Sequence, residues 1–112
     1  GNLRRGPMID IPELRQRIDT EKKLLVLDGR TPEDFVGEQG HIADAVNIPV
    51  EDLQQRVDEI GNYLEQPVAI VCRTDKKSVK AALLLTEEGF ADVHIVRGGM
   101  TKWIEAGLPV IR

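Results

Sequence analysis

The 112-residue chain holds one cysteine, Cys72, and its neighbours are of the types that thiol chemistry needs. An apolar run, Val68-Ala69-Ile70-Val71, leads straight into Cys72-Arg73-Thr74-Asp75-Lys76-Lys77-Ser78. The run reads as a buried strand, and the polar stretch as the loop that carries the chain into a helix. A loop in that place can turn successive backbone N–H groups inward and cradle an anion beside the helix N-terminus. A thiol in such a cradle is stabilised as thiolate, so its pKa is expected below that of a free cysteine, which makes it a nucleophile at neutral pH. Side-chain charge acts in the same direction. Residues 72–80 carry Arg73, Lys76, Lys77 and Lys80 against Asp75, a local charge of +3 in a chain whose net charge is -4, so the other 103 residues sum to -7. The competing reading is an inert cysteine packed as a small hydrophobe at a strand end. The order strand, cysteine, short polar loop, helix favours the reactive thiol.

The flanking sequence must place that loop. Asp10-Ile11-Pro12-Glu13 opens a helix, with Asp10 as cap and Pro12 in the first turn, and Ile11, Leu14 and Ile18 recur at helical spacing. Leu24-Leu25-Val26-Leu27 reads as a buried strand that ends at Asp28-Gly29-Arg30, and Thr31-Pro32-Glu33-Asp34 starts a helix expected to turn Phe35 and Val36 inward. Ala45-Val46-Asn47-Ile48 reads as a short strand ended by Pro49. Leu53, Val57 and Ile60 predict an amphipathic helix over residues 51–60 with Gly61 as its stop. Ser78 is expected to open a helix through Glu88, apolar at Val79, Ala81, Ala82, Leu83, Leu84 and Leu85, a face broad enough to pack deep on a sheet, with Gly89 after its end. Val93-His94-Ile95-Val96 is the last strand, and Gly98-Gly99 turns into a short helix from Met100 to Ala106 closed by Gly107 and Pro109. Strands alternating with helices at this pitch predict an α/β domain with a mainly parallel sheet, in which ligands bind beyond the carboxyl ends of the strands. Cys72 lies at such an end.

Length and composition remove other classes. A chain of 112 residues with 41% apolar and 30% charged residues fits one globular domain. A single cysteine excludes a disulfide-stapled scaffold. The longest uninterrupted apolar runs, Val68–Cys72 and Ala81–Leu85, are five residues each, too short to span a membrane as a helix. The acidic balance argues against nucleic acid as a partner. Gly1–Pro7 is polar and basic with no apolar stretch, so it reads as a tag remnant or linker ahead of a domain over residues 8–112, and not as a signal peptide. The expected location is the cytoplasm, as a free domain or as part of a longer protein.

Val71-Cys72-Arg73-Thr74-Asp75-Lys76-Lys77-Ser78-Val79-Lys80-Ala81 resembles the active loop of the rhodanese (thiosulfate sulfurtransferase) homology domain. Leu27-Asp28-Gly29-Arg30 with Glu33-Asp34-Phe35, Gly40-His41-Ile42 with Ala45-Val46-Asn47-Ile48-Pro49, and Gly98-Gly99-Met100 through Trp103 with Ala106-Gly107-Leu108-Pro109-Val110 are similar to the other landmarks of that family, in the same order. The resemblance covers nearly all of residues 8–111. It implies a rhodanese-like fold, a central, mainly parallel sheet of about five strands flanked by helices. It also implies a chemistry. Cys72 attacks the outer sulfur of a small anionic donor such as thiosulfate, becomes a persulfide, and passes the sulfur to cyanide or a thiol, with no metal or organic cofactor. The alternative is a sulfur-relay or regulatory module that takes persulfide from a protein partner. Arg73, Thr74, Asp75, Lys76, Lys77 and Ser78 would form the binding loop. The phosphatase alternative needs arginine six positions after the cysteine, where Ser78 stands, and histidine before it, where Val71 stands.

Asp28 and Arg30 are expected to pair or hydrogen bond in support of the loop, and His41 to fix a turn rather than to shuttle a proton. His94 reads as structural, Trp103 and Phe35 as core anchors. The chain departs from the family pattern in four places. Asp75 stands where glycine is common; if that position needs a left-handed backbone, Asp is among the less costly residues there, and its carboxylate is expected close to the thiolate, with weaker thiosulfate binding. Lys77 replaces a frequent arginine, Ala43-Asp44 replaces Pro-Gly, and Gly29 stands where a branched apolar residue is common.

Overall fold

The apolar runs assemble into a parallel sheet in the computed structural model of the chain, which describes residues 8–73 and 75–112. The strands are β1 (Met8–Ile9), β2 (Leu25–Asp28), β3 (Val46–Asn47), β4 (Pro67–Val71) and β5 (Asp92–Val96), and they lie in the order β1-β5-β4-β2-β3. The sequence pattern contains no sign of β1. Two residues are too short a run for periodicity, and the strand exists through its pairing of Met8 with Ile95 and Ile9 with Val96.

Five α-helices connect and cover the described strands: α1 (Ile11–Thr20), α2 (Pro32–Phe35), α3 (Leu53–Arg56), α4 (Asp75–Glu87) and α5 (Gly99–Glu105). The Asp10 side chain caps α1 by accepting the Glu13 N–H at 2.9 Å, and Thr31 caps α2 by accepting the Asp34 N–H at 3.2 Å. Alternation along the strands divides the core into two layers. Leu25, Leu27, Val68 and Ile70 face Leu53, Ile60, Ala81 and Leu85, while Val26, Ala69 and Val71 face Leu14, Met100 and Trp103. Cys72 continues the β4 alternation into the first layer. Trp103 anchors the second: it is buried and its indole N–H donates to the Pro109 carbonyl at 3.0 Å. Among the described residues no helix is long and apolar enough to cross a membrane.

Several local expectations are corrected. Residues 50–63 wind as a 3-10 turn (Val50–Asp52), α3, and a second 3-10 stretch (Val57–Tyr63), not as one helix stopped by Gly61. Leu53 and Ile60 still reach the core, but Val57, Asp58, Gly61 and Asn62 are weak helix formers, so the pattern survives without regular winding. Helix α4 begins three residues earlier than expected, at Asp75, because a polar first turn carries no apolar period to reveal it. Its apolar face is narrower than the sequence implied, since Val79 and Leu83 are solvent-exposed and Ser78, Ala81, Ala82 and Leu85 are buried. Val36 points outward, 70% exposed, and Phe35 is only half-buried, stacked on the His41 ring at 3.8 Å. Asp44 adopts φ 66° in the turn closed by the Ala45 N–H to Ile42 carbonyl bond, so an aspartate occupies a left-handed position that favours glycine.

The strand order reverses at one point. From β2 the chain steps to β3 on one side, then returns to place β4 on the other, and β5 lies beyond β4. The connections leaving β2 and β4 therefore diverge, which opens a crevice beyond their carboxyl ends.

Candidate active site around Cys72

The crevice between the β2 and β4 ends is a cleft of about 340 Å³ lined by Gly29, Arg30, Thr31 and Asp34 on one side and Cys72, Arg73, Lys76 and Lys77 on the other. Cys72 is at its floor, 1% exposed. Its backbone is held from α5. The Met100 N–H donates to the Cys72 carbonyl at 2.7 Å, the Thr101 hydroxyl to the Arg73 carbonyl at 3.0 Å, and the Gly98 N–H to the Asp75 carboxylate at 2.7 Å. These three bonds strap the loop to the first turn of α5 and the residue before it. The strap depends on Gly99, which has φ +54° and lies so close that a Cβ there would stand 2.2 Å from the Cys72 carbonyl oxygen. The tight turn expected at Gly98-Gly99 is present, with Gly98 at φ +81°.

Asp75 corrects an expectation. It is the first residue of a helix rather than part of the loop, and its carboxylate is turned to Gly98 instead of the sulfur. The carboxylate that acts on the sulfur is Asp28.

The thiol corrects another. Burial pushes the Cys72 pKa above that of an ordinary thiol, and the negative charge of Asp28 adds to the rise. The Ser78 hydroxyl, the Gly29 backbone and the Lys77 ammonium oppose it without reversing it. Counting charges along the loop missed two facts. The sulfur is out of water, and Lys77 is engaged elsewhere, 2.8 Å from the Glu51 carboxylate, a pairing that raises Lys77 and lowers Glu51.

Beneath the cleft, Asp28 and Arg30 form the ion pair that their positions implied. Both are buried, with Arg30 Nη2 2.8 Å from Asp28 Oδ2 and Arg30 Nε 3.0 Å from Oδ1. Arg30 Nη2 also donates to the Gly40 carbonyl, and the Asn47 side-chain amide donates to the carbonyls of Asp28 and Arg30. His41 lies outside the cleft lining. Its Nδ1 is 2.7 Å from the Phe35 carbonyl, and its backbone pairs with Ile111. His94 sits 2.5 Å from Asp92 Oδ1 and 3.3 Å from Arg17, also away from the cleft.

Of the residues expected in the site, Cys72, Arg73, Lys76 and Lys77 share the cleft. Ser78 is fully buried behind it; its hydroxyl meets no hydrogen-bond partner among the described residues, and its dipole acts to lower the Cys72 pKa. Thr74, like Gly1–Pro7, lies outside the described residues. Asn47, Asp34, Glu51 and the α5 residues Met100 and Thr101 have contacts that sequence reasoning missed. Asn47, Asp34 and Met100 are visible as parts of motifs, but nothing local to Glu51 or Met100 signals a contact with a loop so far along the chain.

The family model described as the rhodanese-like domain matches residues 10–106. A protein of Allochromatium vinosum named sulfurtransferase is 34% identical over 103 residues, covering 92% of each chain. A thiosulfate sulfurtransferase of Pseudomonas syringae pv. syringae is 34% identical over 92 residues, 82% of each chain. Other curated relatives are longer, and the chain spans 24% to 66% of their length. The crystal structure of a rhodanese-related protein of Thermoplasma volcanium superposes with a TM-score of 0.81 at 30% identity, over 93% of this chain and 96% of that one.

Two outcomes follow from the geometry. Gly99→Ala should lower stability by on the order of 4 kcal/mol, because it adds a collision with the Cys72 carbonyl to a left-handed backbone. Gly107→Ala, with φ +73° and nothing within 4 Å, should lose only about 1 kcal/mol; equal losses in urea denaturation would contradict the strap. The raised thiol has a signed consequence as well. Between the ordinary and the raised pKa the unfolded state binds fewer protons than the native state, so stability falls as pH rises through that window. Cys72→Ser should abolish that alkaline loss, measured as Tm against pH.

Proposed function

Because this chain belongs to the rhodanese-like domain family, we propose that it is a sulfurtransferase in which Cys72 accepts a sulfane sulfur and passes it on. The observation that carries the reading is the position of Cys72: the one cysteine of the chain forms the floor of the strand-end cleft, under Arg73, Lys76 and Lys77.

The Cys72 thiol first gives up its proton to solvent. The thiolate then attacks the outer sulfur of thiosulfate; the new sulfur–sulfur bond forms as the bond to the sulfonate sulfur breaks, and sulfite leaves with the electron pair. Cationic Arg73, Lys76 and Lys77 attract the dianion, and the first-turn N–H groups of α4, which have no intrahelical acceptor, face developing negative charge at the helix's positive end. In the second half, cyanide or a thiolate attacks the outer sulfur of the persulfide, and the electron pair returns to Cys72. The cycle is sulfur exchange throughout and is written without metal or organic cofactor. Asp28, Arg30 and His41 touch no reacting atom in this scheme. They hold the β2 end and its turn, so they are positioning residues.

A second reading is a sulfur-relay module, loaded by a protein persulfide and weakly by thiosulfate. The burial of the sulfur and the Lys77–Glu51 pairing favour it, since both weaken capture of a free anion.

Intact mass spectrometry after incubation with thiosulfate separates the two. A gain of one sulfur that cyanide removes, absent in Cys72→Ser, is expected of the enzyme. A gain only from a cysteine desulfurase carrying persulfide marks the relay, and no gain from either contradicts sulfur transfer by this chain.

A further inference from the structure

Gly29 lines the cleft on the wall opposite Cys72. A Cβ at position 29 would lie 2.9 Å from Cys72 Sγ and 2.7 Å from Val50 Cγ2, both well inside van der Waals contact. The obstacle is space alone, since the Gly29 backbone is outside the left-handed region and any residue can adopt it. The missing side chain has not left a hole. The sulfur and Val50 have closed onto the Gly29 backbone, and all three residues are buried.

The backbones around this contact are pinned. The Gly29 N–H donates to the Val71 carbonyl at 2.9 Å, the Val50 N–H to the Gly29 carbonyl at 3.1 Å, and the Met100 N–H to the Cys72 carbonyl at 2.7 Å. Gly99, at 2.2 Å by the same measure, prevents the Cys72 peptide from retreating toward α5. A methyl group added at position 29 therefore has two outlets, the Val50 side chain and rotation of the Cys72 side chain. The second carries the sulfur up into the cleft that Cys72 lines.

We propose that Gly29 is a positioning residue that sets the depth of the nucleophile: by lacking a Cβ it lets Cys72 Sγ withdraw under the cleft floor at rest. The withdrawn sulfur is desolvated. Reaction then requires the side chain to rotate outward. This inference rests on Cys72 being the reacting group, but the property it assigns, the depth of the thiol, is measured without any sulfur donor.

The test is the pH profile of alkylation by iodoacetamide, followed by intact mass. Gly29→Ala should alkylate several-fold faster at pH 7 than the wild type, with its profile displaced to lower pH. Val50→Ala, which removes the other wall without pressing on the sulfur, should not accelerate alkylation. A folded Gly29→Ala protein with an unchanged or slower profile overturns the proposal. If Gly29→Ala does not fold, Gly29→Ala/Val50→Ala relieves the shorter contact and is read in the same way. The wild type supplies a further criterion that needs no substitution. Native Cys72, its sulfur buried, should alkylate more slowly than Cys72 of the urea-unfolded chain at the same pH, and equal rates overturn the proposal. Faster loading from thiosulfate should accompany faster alkylation in Gly29→Ala. If no variant takes up sulfur while the alkylation profiles shift as stated, the sulfur-transfer reading has failed and the seat has not.

Discussion

The hydrogen bond from the Met100 N–H to the Cys72 carbonyl, 2.7 Å long, is the constraint on which the site depends. It joins the end of a central strand to the start of α5, and through it the second core layer, anchored by Trp103, fixes the height of the nucleophile. Gly99 makes the bond possible by conformation and by size. Thr101 and Asp75 extend the same strap along the loop. With the cysteine peptide held, the side chain alone is left to adjust. A small rotation at Cys72 can then decide whether the sulfur faces Gly29 or the cleft.

The electrostatics are arranged in two layers, a buried ion pair and a set of exposed cations. Below the cleft, Asp28 and Arg30 are buried together, and removing either partner would leave an uncompensated charge at a cost of about 3–5 kcal/mol. The pair therefore holds the β2 turn firmly, and its carboxylate disfavours a thiolate nearby. Above the cleft, Arg73, Lys76 and Lys77 are exposed to solvent, where ionic screening weakens them, and Lys77 is shared with Glu51. A neutral sulfur below and screened cations above give a site that attracts anions more readily than it activates the thiol.

Much of this was legible in the chain. The apolar runs ending at Asp28 and Val71 located the two strands that flank the crevice and put Cys72 at the carboxyl end of one of them. Asp10 and Thr31 announced their helices, and Gly98-Gly99 announced the turn that carries the strap. What escaped depends on contacts between distant segments. Binary pattern cannot separate a polar first turn from a loop, so Asp75 was read as loop and its bond to Gly98 could not be foreseen. Val79 and Leu83 look like core residues until the sheet is in place and leaves them outside. The thiol was misjudged because loop charge is visible in sequence, whereas desolvation, the Glu51 pairing and the reach of Asp28 are not. Gly29 could be noticed as a departure, but the two atoms that would meet its absent Cβ come from other loops.

The claim at the centre of this account is that Cys72 rests as a buried, neutral thiol. A pH titration of its thiolate absorbance in the ultraviolet, corrected with Cys72→Ser, measures that directly. The account predicts a midpoint above the value of about 8.5 for a free cysteine side chain, and a midpoint below neutrality would contradict it.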